Sequence, residues 1–178
     1  TEMMYRYPGK LQIDTLHILN SRIVYLEHNR DAQKAGKIFF DKAVLTLTNI
    51  TNDSLNASVF KLKGRSLLMG KSRFTVELTT KHFNRLGTFQ VKGFIDEMPV
   101  SAFNPMLEES AFVTIKSGRL EKIEFSFYAN QHMAAGDLIM IYDSLNLAIL
   151  NPSNKDNPGF KTIVQTWLLN QLIIDSNP

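Results

Sequence analysis

Gly64, Gly70, Lys71 and Ser72 are the residues whose types and spacing come nearest to a catalytic motif, and at first sight they resemble a phosphate-binding loop. That loop needs four residues between its glycines, and here five intervene. The five, Arg65 to Met69, are bulky and read as strand, where a phosphate cradle needs an open run of backbone N–H groups. Phe74-Thr75-Val76 then alternates instead of opening a helix, so nucleotide chemistry is not expected. His17, His28, His82 and His132 are scattered and show no His-x-x-x-His spacing for a metal. No Gly-x-Ser-x-Gly elbow presents a nucleophile. Asp96-Glu97 and Glu108-Glu109 are adjacent pairs, and neighbours on a strand or helix point apart, so neither makes an acid/base couple. The sequence therefore predicts no enzyme, no metal site and no cofactor.

Two other patterns remain. Lys61, Lys63 and Arg65 alternate, and Lys71 and Arg73 follow on the same period. They are either a solvated strand face or a rim that meets lipid phosphates. Against them stand Phe74, Val76, Leu78, Phe89, Val91, Ile95, Ile123, Phe125, Phe127, Leu138 and Met140, which recur every second residue within their segments. These are either an ordinary core or the lining of an apolar groove.

The elements that must position both sets are strands. Leu11 and Ile13, Ile38 and Phe40, and Leu45 and Leu47 alternate with polar residues, as do Tyr142, Leu145, Leu147 and Ile149 later on. Such strands face apolar material on one side and water on the other, as antiparallel sheets commonly do. Turn chemistry divides them at Asn29–Gly36, Asn52–Asn56, Asn84–Gly87, Ser117-Gly118 and Asn130–Gly136. A short helix is expected near 101–107, capped by Ser101 and limited by Pro105. A C-terminal amphipathic helix is expected near 159–171, on the apolar stripe of Phe160, Ile163, Val164, Trp167 and Leu168. Leu172 to Asp175 would then enter an exposed edge strand. One helix cannot cover a sheet of that size, so either the sheet closes on itself or an apolar face stays open.

Composition narrows the setting. The chain has 178 residues, 44% hydrophobic and 21% charged, which suits one β-rich domain over 1–178 with an ordinary core. No apolar run approaches the roughly 18 to 20 residues of a membrane-spanning helix. The net charge of +3 is mild and dispersed, which argues against nucleic acid as a partner. The absence of cysteine excludes disulfides, thiolate catalysis and Cys-based zinc sites. A chain that opens on Thr1 and stops at Asn177-Pro178 leads to the expectation of a piece cut from a longer protein.

Several stretches resemble a family. Phe40 to Thr51 is similar to a strand-and-turn segment of AsmA-like bacterial envelope proteins, especially the large ones of Bacteroidetes. So are Leu68 to Lys71 and Phe89 to Gly93. Val100 to Leu107 resembles that family's short helix, and Ile115 to Leu120 the strand and turn after it. The likeness continues through Met140 to Leu145 and on to Asn170 and Asn177-Pro178, covering roughly residues 10 to 178.

The resemblance implies a large periplasmic protein anchored to the inner membrane through a segment absent from this chain. It implies a curved, largely antiparallel sheet with an apolar groove, similar to the eukaryotic bridge-like lipid-transfer proteins. Some members are linked to phospholipid transport to the outer membrane, others to outer-membrane protein assembly, and the family carries no catalytic residues. The expected partner is thus a phospholipid or another acyl-chain ligand. The alternative is a scaffold that adds a strand to an outer-membrane protein precursor. A fragment with uncovered edge strands is also expected to form edge-to-edge dimers.

Overall fold

The structure is a computed structural model and describes residues 9–30, 32–53, 58–82 and 86–150. It is mainly β, with 70% of the described residues in strands, one open antiparallel sheet of eight strands and one helical stretch of 11 residues. The strands are β1 (Gln12–Glu27), β2 (Gly36–Thr51), β3 (Val59–Leu68), β4 (Ser72–Lys81), β5 (Phe89–Ile95), β6 (Met98–Pro99), β7 (Val113–Ala129) and β8 (Ala134–Ile149). Between β6 and β7 a 3₁₀ turn (Val100–Phe103) leads into helix α1 (Asn104–Ser110). The strand order is β1-β2-β3-β4-β5-β7-β6, with β8 pairing β7. The expected helix near 159–171 and the edge strand at Leu172–Asp175 lie outside the described residues.

Four strands are 16 or 17 residues long, and each carries a residue with positive φ. These residues are Asn20 in β1, Lys42 and Asn49 in β2, Gly118 in β7 and Ser144 in β8. At Lys42 the β2–β3 register jumps, so the extra residue in the left-handed region makes a bulge that keeps the strand running while the side-chain alternation shifts. One expectation is corrected. Ser117-Gly118 does not end a strand, since β7 passes through Gly118 at φ 139°. β8 likewise runs through Asp143-Ser144 as one strand, with Ser144 at φ 52°.

The chain groups into two compact units. One takes in the described residues up to Ile23, with Phe39–Glu97 and Lys122–Met140; the other takes Val24–Ile38, Met98–Glu121 and the described residues from Ile141. The second unit is built around α1. Met98, Val100, Met106, Phe112, Val113, Ile115 and Leu120 are buried there. Gly36 lies so close to α1 that an added Cβ would meet the Met106 sulfur at 2.8 Å.

Asn104 ties α1 to β7. Its Oδ1 accepts from the Ile115 N–H at 2.8 Å, and its Nδ2 donates to the Ile115 carbonyl at 3.0 Å, so the side chain imitates a neighbouring strand. Thr114 Oγ1 donates to Glu108 Oε1 at 2.6 Å. Ser101 was expected to cap the helix, but no side chain caps either helical piece. Pro105 was expected to limit the helix and instead sits in its first turn, where the missing N–H would have no partner anyway.

Candidate functional site

The first unit carries the residues singled out above, on strands β2, β3, β4, β5 and β7. Residues directly opposite in an antiparallel pair share a face, and successive residues along a strand alternate. Register therefore settles which side chains lie together. Leu47, Leu62, Leu78, Val91 and Phe127 form one cross-strand row. Leu45, Gly64, Val76, Gly93 and Phe125 form the next, and Ser66, Phe74, Ile95 and Ile123 a third. Phe89 pairs with Thr80 and Ala129 in a fourth.

Nine of the expected lining residues, Phe74, Val76, Leu78, Phe89, Val91, Ile95, Ile123, Phe125 and Phe127, thus share one face. Ile95 is buried and the other eight are half-buried. Leu138 and Met140 come from β8, where Leu138 is 58% exposed and Met140 is half-buried.

The middle row alternates large residues with glycine, for a packing reason. A Cβ on Gly64 would meet Leu45 Cδ2 at 2.9 Å and Val76 Cγ1 at 3.0 Å, so these side chains lean over the glycine. Phe125 covers Gly93 in the same way and stacks on Phe127, with centroids 5.7 Å apart. Phe40 and Phe74 extend the aromatic surface at 5.1 Å.

The reverse face is polar. Thr46, Lys63, Glu77, Lys92 and Ser126 are in line, and Val44, Arg65, Thr75, Phe94 and Glu124 make the adjacent row. Glu77 lies between two lysines, 3.1 Å from Lys92 Nζ and 3.3 Å from Lys63 Nζ. Hydrogen bonds from Lys92 first, and then from Lys63, hold its carboxyl below the usual carboxylate range.

Of the expected cationic rim, Lys61, Lys63, Arg65 and Arg73 stand on this polar face, and Lys71 sits in the Met69–Lys71 turn between β3 and β4. That turn contains the Gly70-Lys71 pair of the phosphate-loop look-alike. Met69 and Gly70 both have positive φ, and the turn joins two antiparallel strands. The four strand cations therefore face away from the apolar rows and do not border them. Two are already paired, Lys63 with Glu77 and Arg73 with Asp96 at 2.7 Å.

Two concavities open on the polar face. The larger, about 580 Å³, is lined by Lys63, Thr75, Glu77, Lys92, Phe94, Glu124, Ser126, Asp137 and Ile139, with the row Gly64, Val76, Gly93 and Phe125 between them. Its side is fixed by what is missing: the apolar-face neighbours of that row, Leu62, Leu78, Val91, Phe127, Phe74 and Ile123, do not line it. It is a trough between two polar rows, floored by the strand backbone whose side chains point to the other face. The second, about 470 Å³, is lined by Lys42, Arg65, Ser66, Leu67, Arg73, Thr75 and Phe94.

Lys42, Thr75, Glu77, Lys92 and Phe94 were not singled out from the sequence. One signal was present: Phe94 and Ile95 are adjacent apolar residues that break the alternation, as they must when each serves a different face.

Among the described residues no group of three or more His, Cys, Asp or Glu comes together to hold a metal ion. No helix among them is long and apolar enough to cross a membrane, which leaves β-barrel insertion unaddressed. What the sheet offers is surface for binding, apolar on one side and charged on the other. No family model, no curated protein and no solved structure matches the chain.

Proposed function

We propose that this chain is a non-enzymatic lipid-handling module of an AsmA-like periplasmic protein, whose apolar sheet face bears acyl chains of phospholipid. It would serve phospholipid transport or outer-membrane biogenesis. The reading rests on one observation: apolar rows run in register across β2, β3, β4, β5 and β7 with a polar face on their reverse. Moving an acyl chain of about 15 methylenes into water costs about 12 kcal/mol, at roughly 0.8 kcal/mol per methylene. A path for lipid must therefore stay apolar without a break while its outside stays wet, and one layer of alternating strands supplies both conditions. A ten-residue strand such as β3 or β4 spans about 33 Å, enough for an extended acyl chain.

Native mass spectrometry of the protein purified from cells tests this reading. Phospholipid should accompany the wild-type chain and be lost from Val76→Asp and Phe125→Asp, with folding followed by circular dichroism. A wild-type chain free of lipid, or a folded Asp variant that retains it equally, would sink the proposal.

A second reading, strand addition to an outer-membrane protein precursor, draws on β1. This strand is the outermost of its side of the sheet order and exposes Leu19 at 66% and Leu26 at 60%. Crosslinking from position 19 to an extended precursor peptide, with no lipid bound, would favour it.

A further inference from the structure

We infer that the concavity lined by Lys42, Arg65 and Arg73 is a binding site for a phosphate group, separate from the apolar face. Three strands bring the cations together. Arg65 stands opposite Thr75 while Arg73 stands opposite Leu67, which makes the two arginines diagonal neighbours across β3 and β4, about 7–8 Å apart at the backbone. Lys42 reaches them because of a bulge. The β2–β3 register jumps between Asp41, opposite Leu67, and Val44, opposite Arg65, and Lys42 sits inside that jump at φ 51°.

Like charges on diagonal strand positions repel, so such a cluster is stable only with compensating charge nearby. The compensation is incomplete. Arg73 is paired with Asp96 at 2.7 Å, Asp41 is held by Arg22 at 3.2 Å, and Glu77 and Glu124 on the same face are held by Lys63 and Lys92 and by Lys122. Lys42 and Arg65 make no ion pair among the described residues, which leaves about two net positive charges around a concavity of about 470 Å³. Two positive charges, one on a guanidinium that can bond two oxygens at once, match a phosphate near its doubly charged form. Leu67 and Phe94 add an apolar wall, so the phosphate would belong to an organic monoester with an uncharged part lying against Phe94.

The site does not depend on lipid occupying the apolar face, because Arg65, Leu67, Arg73, Thr75 and Phe94 point to the other side of the same strands. The phosphate could come from a soluble ester or from a lipid headgroup presented by a membrane, and the experiment separates the two. Isothermal titration of the full chain with glycerol 3-phosphate is compared with co-sedimentation on phosphatidylcholine vesicles containing phosphatidic acid. Lys42→Gln with Arg65→Gln should weaken whichever binding is seen by at least tenfold. Lys61→Gln, on the same face but outside the concavity, should change it less than twofold. All variants are exposed substitutions whose thermal midpoints report folding.

Saturable binding of glycerol 3-phosphate assigns a soluble ester, and binding to the vesicles alone assigns a headgroup. No binding to either, or equal loss in Lys61→Gln, overturns the site. Val76→Asp should leave phosphate binding intact if it folds, so failure of the lipid reading and failure of this site are distinguishable.

Discussion

The ring of Phe125 lies directly across Gly93 on the neighbouring strand, filling the space a Cβ there would need. Phe125 Cε1 is 2.7 Å from that point, and the Thr75 carbonyl oxygen is 2.9 Å from it on the other side. Gly93 therefore exists to admit the aromatic ring, and Phe125 shields backbone the glycine would otherwise leave bare.

Gly93→Ala should accordingly destabilise the protein by about 1–3 kcal/mol, the usual cost of forcing atoms into a packed site. Phe125→Leu in the same chain should recover part of that loss, and the Thr75 carbonyl should retain the rest. Urea denaturation of the two single variants and the double one measures the coupling. A Gly93→Ala midpoint equal to wild type would mean that the ring moves aside freely.

Asn104 offers a second test, in the other unit. Its amide exchanges two hydrogen bonds with the backbone of Ile115, at 2.8 and 3.0 Å. Asn104→Ala leaves those backbone groups without partners and should cost about 1–3 kcal/mol. Amide exchange at Ile115 should accelerate in the variant. Unchanged protection there would show that the side chain does not hold the strand.

Glu77 predicts a pH and salt dependence. Its carboxyl titrates below the usual range because Lys92 and Lys63 bond its ionised form. A carboxyl lowered on folding contributes stability that is fully present above its unfolded value, about 4.3, and lost as pH falls through the folded one. Wild type should melt above Glu77→Gln at pH 7, and the gap should close as the pH drops below about 4. At pH 7, about 1 M salt should also narrow the gap, since the Debye length is then about 3 Å. A gap independent of both would assign the effect to packing.

The exposed apolar side chains of β1 predict self-association. Leu19, Tyr25 and Leu26 are each more than half exposed, and open strand edges are templates for pairing. Light scattering across a concentration series should show a rising mass, suppressed by Leu19→Lys with Leu26→Lys. A constant monomer mass for wild type would remove the strand-addition reading together with the dimer.

Period-two alternation by itself determined that this protein is a β-sheet with one apolar and one polar face, because strand geometry sends successive side chains to opposite sides whatever the rest of the chain does. Ser101 and Pro105 pointed to the short helix near 101–107, although the helical stretch starts with the 3₁₀ turn from Val100 and runs to Ser110. Register was beyond its reach. Which residues face one another across β2 and β3 depends on the bulge at Lys42, and a residue entering the left-handed region is a local choice that neighbouring strands enforce. The tertiary structure alone placed Lys42 beside Arg65 and Arg73, put the strand cations of the expected rim behind the apolar rows, and set Phe125 over Gly93. Each of these follows from which strands pair and in what register, and no local pattern carries that information.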